Sequence, residues 1–131
     1  MIVSTSGKKP YATIFTDGKS EAACDTTLDK GGGGSGFRPH DLLEAAFACC
    51  LNINLRMLAD KHKIPLREAK VSVLLNRDDP EQTIFEYAVE LRGGLTAQQS
   101  QELIALAASC PVSRTISKKI SFCRSSPAPA L

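Results

Sequence analysis

The side chains richest in chemistry here are five cysteines, at positions 24, 49, 50, 110 and 123. A thiolate is both a nucleophile and a metal ligand, so cysteines can attack peroxides, bind zinc or pair into disulfides. No Cys-x-x-Cys spacing is present, which argues against a structural zinc site. The odd count, together with an N-terminus ("MIVSTSGKKPYATIF") that lacks an apolar export segment, argues against a disulfide scaffold. What remains is thiol chemistry or packing. Two contexts stand out: Cys49 and Cys50 lie side by side in the apolar run "AAFACCL", and Cys110 directly precedes Pro111.

The elements that position these thiols follow from local signals. "YATIFT" and "KSEAACDTT" flank Asp17-Gly18, a pair that accepts the positive φ angles of a tight turn, so a hairpin is predicted with Cys24 packed on its second strand. "LDKGGGGSGF" breaks regular structure. Its glycines lack the Gly-Lys-Ser/Thr of a phosphate loop and read as a flexible loop within one domain. A long helix is predicted from about Pro39 to Asp60, since Pro suits a first helical position. At about 100° per residue, Asp41, Glu44, Ala48, Asn52, Arg56 and Asp60 form a mostly polar stripe. Glu44 and Arg56 are assigned an interfacial or solvent-facing role there. Cys50 falls opposite the stripe, among Leu43, Ala46, Phe47, Ile53, Asn54 and Met57, and Cys49 falls nearer its edge.

"KVSVLLN" and "TIFEYAVEL" form a second predicted hairpin across "RDDPEQ", with Phe85, Tyr87, Val89 and Leu91 on one buried face. Thr96 and Gln99 make a capping-box start for the helix "AQQSQELIALAAS". Pro111 opens a short helix, "PVSRTISKK", and "ISFCR" is expected to close the fold as a strand that holds Cys123 structurally. The expectation is a single α+β domain over residues 1–124 with a flexible tail, 125–131. A central helix apolar over most of its circumference needs covering on several sides, which five strands from one chain do not supply. A homodimer is therefore predicted.

With 131 residues, 16 basic against 14 acidic side chains and no Trp, the chain has neither the basic surface nor the aromatics of a nucleic-acid binder. The run Leu42–Met57 is interrupted by Glu44, Asn52, Asn54 and Arg56, so no membrane span is expected. A cytoplasmic protein with reduced thiols is the resulting expectation.

"GFRPHDLLEAAFACCLNINLRMLA" and "ALAASCPVSRTI" resemble the two motifs of the OsmC/Ohr superfamily of thiol-dependent proteins. The first looks like the family's Pro-x-x-Leu-Leu helix with a Cys eleven residues after the Pro, and the second like its Cys-Pro-Val motif. The resemblance covers nearly all of residues 10 to 124. It implies an intertwined α+β homodimer that reduces organic hydroperoxides, with Cys50 as the peroxide-reacting thiol, Cys110 as its resolving partner and Cys49 as a neighbour outside the motif. It further implies an external dithiol reductant and no metal or bound cofactor. Hydroperoxide-reducing members place a Glu after the helix-opening Pro and an Arg on the first hairpin. Here those places hold His40 and, on the hairpin, Lys19 without any Arg.

His40 is thus a substitute proton acceptor or an exposed helix-end residue. Arg38 either supplies the positive charge or is solvated, and it is an odd residue to start a helix because it offers no oxygen to the free N–H groups. Arg114, one turn past Cys110, either assists an anionic or peroxide group or lies in solvent. His62, at the helix end, reads as a surface residue. Local physics and the resemblance differ on the thiols. Helix-start Cys110 should ionise more readily, whereas burial should hinder Cys50. Two other readings stay open: a non-peroxidase dimer that binds a small hydrophobic or thiol-reactive ligand in its interface pocket, and a structural dimer with inert cysteines.

Overall fold

The structure, a computed structural model, describes residues 1–124. The expected tail, 125–131, lies outside the described residues. The described residues group into two compact units, Met1–Leu42 with 121–124, and Leu43–Ile120.

In the first unit, β1 (Val3–Ser6), β2 (Thr13–Thr16) and β3 (Glu21–Cys24) form an antiparallel sheet in the order β1-β2-β3. The β2-β3 hairpin turns at Asp17-Gly18 as predicted. The Asp17 carboxylate accepts the N–H groups of Lys19 and Ser20, and Gly18 takes φ +93°. Strand β1 was not expected, because "VSTS" has no alternation of apolar and polar residues to mark a strand. Its signal is weaker: the β-branched Val3 and Thr5, and the Gly7–Pro10 turn.

The glycine segment is a built loop. One 3₁₀ turn, Leu28–Lys30, precedes it. The buried carboxylate of Asp25 then accepts hydrogen bonds from the N–H groups of Thr26, Gly33 and Ser35 and from the Ser35 hydroxyl. These donors, led by the Ser35 N–H, hold the carboxyl below its usual range. The loop returns so that Phe37 bridges Cys24, with Gly36 at φ +105°; a Cβ there would sit 2.7 Å from the Ala23 carbonyl oxygen.

Helix α1 (Pro39–Lys61) begins where Pro39 predicts. Its odd first residue is explained by Asp41, which accepts the Arg38 N–H at 2.8 Å and grips the Arg38 guanidinium at 2.6 Å. The third helical residue therefore makes the reverse half of a capping box, accepting the N–H of the residue that starts the helix. By length and composition α1 is apolar enough to cross a membrane, contrary to expectation. Its bonds to β4, described next, mark it as the core helix of a folded unit.

The second unit carries the rest of α1, the hairpin β4 (Leu66–Asn76) and β5 (Ile84–Gly93), α2 (Ala97–Ala107) and α3 (Pro111–Ile116). Phe47, Leu51, Leu55 and Ala59 recur every four residues on α1 and are buried with Leu66, Leu103, Ala107 and Cys110. Phe85, Val89 and Leu91 of β5 pack on this cluster, and Phe47 meets Phe85 and Tyr87 edge-on at 5.7 and 5.4 Å. The reciprocal Thr96–Gln99 capping box at the start of α2 is present.

Two expectations need correction. The polar stripe does more than face solvent: Arg56 and Asp60 are exposed, but among the described residues β4 pairs only with β5, and α1 side chains take backbone groups that no second strand takes. Glu44 accepts the Leu75 N–H at 2.7 Å, Asn52 donates to the Ala69 carbonyl at 2.9 Å, and Arg56 donates to the carbonyls of Leu66 and Arg67. The closing strand also fails. Residues 119–124 are irregular and Cys123 is exposed: among the described residues the segment pairs with no strand, so its peptide groups make no ladder bonds.

The Asp25 knot makes a testable prediction. Its carboxyl is depressed in the folded state, so its stabilisation is present above the unfolded value of about 3.8 and is lost as pH falls through the folded value. Asp25→Asn should lower the melting temperature at neutral pH, and the gap to wild type should shrink when thermal unfolding is repeated at about pH 3.

Candidate functional site

Both candidate thiols belong to the second unit, and the fold brings them together. Cys50 lies on α1 beside the buried stripe, half-buried and packed against the core. Cys110 is fully buried in the corner between α2 and α3. Its backbone takes the extended conformation of a helix-starting residue, and its sulfur accepts the Ser113 N–H at 3.5 Å. Both are free thiols, near enough in space that each shifts the other's ionisation, and the Val112 N–H favours the ionised form of both.

Their electrostatics differ in the direction local physics predicts. Burial pushes the Cys50 thiol up, and neighbouring Cys110 adds to the rise against the opposing Val112 N–H and Arg114 charge. Burial also opposes ionisation of Cys110. There, however, the Ser113 N–H, the Cys50 thiol, the Ser113 hydroxyl and the Val112 N–H outweigh it and bring the thiol below its ordinary value. The first proton lost from the pair therefore leaves its charge mainly on Cys110. Chemically, this is a dithiol with one activated sulfur and one more accessible sulfur.

The other expected residues divide between the two units. Arg114, on α3, is exposed, and its charge acts on Cys50. Arg38 and His40 stand at the α1 start in the first unit, where Arg38 is gripped by Asp41 and His40 is exposed. Cys49 is exposed beside an open depression of about 280 Å3 lined by Ala48, Asn52, Ile53 and Val71. Cys24 is buried at the end of β3, and His62 is exposed, as expected. Among the described residues no group of three or more His, Cys, Asp or Glu converges to hold a metal ion.

Sequence reasoning missed Ser113 and the Val112 N–H as partners of the sulfurs. The signal was available for Ser113, since it lies three residues after a helix-starting Cys110, where a cap acceptor meets an N–H.

The OsmC-like protein family matches residues 32–123. Solved structures with the same fold include an OsmC-like protein from Mycoplasma pneumoniae, 15% identical with a TM-score of 0.75, covering 88% of this chain and 85% of that one. An organic hydroperoxide resistance protein OsmC from Legionella pneumophila is 24% identical with a TM-score of 0.65, covering 89% and 88%. The organic hydroperoxide resistance protein OhrB of Bacillus subtilis is 22% identical with a TM-score of 0.64, covering 89% of each chain. A search of curated proteins gave no match to this sequence.

Thiolate absorbance tests the order of ionisation. A pH titration of the reduced protein should show a transition below the ordinary thiol range that is absent in Cys110→Ser and retained in Cys50→Ser. The opposite pattern would place the readier thiolate on α1.

Proposed function

We propose that this chain, which belongs to the OsmC-like protein family, is a thiol-dependent peroxidase that reduces organic hydroperoxides through Cys50 and Cys110. The observation that carries this reading is the meeting of two free thiols with opposite pKa shifts, Cys50 packed against the core cluster that buries Cys110. Some structures of the same fold are named organic hydroperoxide resistance proteins, which agrees with it.

Cys110 ionises first but is fully buried, so the half-buried Cys50 is the sulfur a peroxide meets. As Cys50 attacks, its proton passes to the Cys110 thiolate. The Cys50 sulfur then bonds to the distal oxygen of the hydroperoxide while the O–O bond breaks, and the alkoxide leaves as an alcohol after taking up a proton. Cys50 is now a sulfenic acid. Cys110 gives up its proton and attacks the Cys50 sulfur, water leaves, and a disulfide joins α1 to the α2–α3 corner. An external dithiol restores both thiols by exchange. The apolar neighbours of Cys50 suit a hydrophobic hydroperoxide.

The same reading includes a homodimer and a cytoplasmic setting. Leu43, Ile53 and Met57 leave an apolar strip on α1 exposed by 49%, 60% and 65%, which a second copy would cover. Met57→Glu should shift the protein toward monomer in sedimentation, and an unchanged molecular mass would count against this interface. A second reading, a non-peroxidase dimer that binds a hydrophobic or thiol-reactive ligand, is favoured by one fact: Asp41 already engages Arg38, the nearest stand-in for the family's activating Arg.

One experiment separates the two. Reduced protein treated with one equivalent of cumene hydroperoxide should form a Cys50–Cys110 disulfide, detected by mass spectrometry. It should be lost in Cys50→Ser and Cys110→Ser and kept in Cys49→Ser. Survival of all five thiols would end the peroxidase reading and leave the ligand-binding one.

A further inference from the structure

We propose that Asn54 is a positioning residue that sets the approach of Cys110 to Cys50. This rests on the redox-pair reading above and extends it to a residue outside both thiol motifs. Asn54 follows Cys50 by four residues, one turn along the same face of α1. It is a polar residue in an otherwise apolar neighbourhood, which requires a partner. The partner is the Ala107 carbonyl, which accepts from the Asn54 amide at 3.1 Å. Ala107 is the last residue of α2, where carbonyls have no partner within the helix, and it stands three residues before Cys110.

The corner that carries Cys110 is braced from two sides. From within, the Ser113 hydroxyl shares its one proton between the carbonyls of Ala108 and Cys110, both at 2.9 Å. From outside, the Asn54 amide ties the corner to α1. The two segments are thus joined by a pair of rungs one turn apart, the Cys50–Cys110 pair and the Asn54–Ala107 hydrogen bond. When the sulfur rung is oxidised and then reopened, the amide rung keeps the corner in place. The two thiols therefore face each other at high effective concentration after every cycle.

An amide is required for this. A carboxylate at position 54 has no donor for a carbonyl, and an aliphatic side chain would leave the Ala107 oxygen unmet. Asn52 is the natural comparison, because it makes a similar bond from the same helix to the Ala69 carbonyl in β4.

The test measures the reduction potential of the Cys50–Cys110 disulfide by equilibration with dithiothreitol, followed by mass spectrometry, with melting temperatures recorded alongside. Diamide supplies the oxidant, so no peroxidase activity is needed. In Asn54→Leu and Asn54→Ala the disulfide should be about five- to tenfold less favoured, a potential less negative by about 20 to 30 mV. Asn52→Leu should lower the melting temperature while leaving the potential unchanged. If the Asn54 variants shift the potential no more than Asn52→Leu does, Asn54 is only structural and the inference falls while the redox pair stands. If diamide forms no Cys50–Cys110 disulfide in the wild type, the pair itself is refuted and the inference with it.

Discussion

The second unit depends on one constraint: α1 must bury one stripe and hydrogen-bond along another. Phe47, Leu51, Leu55 and Ala59 supply the buried stripe, on which β5, α2 and the Cys110 corner pack. Loss of a buried Leu from such a cluster costs about 2 to 5 kcal/mol, a large part of the stability of a small unit. The Cys110 sulfur belongs to this core, so the packing that holds the unit together also delivers one thiol to the other.

That delivery accounts for the asymmetry of the pair. Two chemically identical side chains near each other respond to their surroundings in opposite ways because the Ser113 N–H and hydroxyl act on one of them. Cys110 begins a helix and accepts the Ser113 N–H, whereas Cys50 lies mid-helix, where its own backbone N–H is already taken by the helix. Burial acts on both, and the donors decide the sign.

Much of this was legible in the sequence where the signal was local. Asp17-Gly18 marked a turn, Pro39 a helix start, and Thr96 with Gln99 a cap, because each depends on residues within a few positions. The predicted ionisation order of the two thiols followed from the same kind of reasoning. The failures involve partners distant in sequence. Periodicity placed Glu44, Asn52 and Arg56 on one face of α1 but could not say that the face meets an edge strand. The segment "ISFCR" was expected as a closing strand, yet it pairs with no strand among the described residues. At Arg38, the helix start is held by Asp41, three residues on, which accepts the Arg38 N–H, and a rule about the first residue alone misses it.

The clamps from α1 to β4 bind main chain, and this has an evolutionary consequence. Glu44, Asn52 and Arg56 hold peptide groups, so β4 can exchange its outward side chains without loosening its hold on the helix. An inserted or deleted residue between Ala69 and Leu75 would be different. It would move a peptide group away from its clamp and turn the inward side chains outward at once. Across relatives, β4 should therefore drift freely in composition while its length stays fixed.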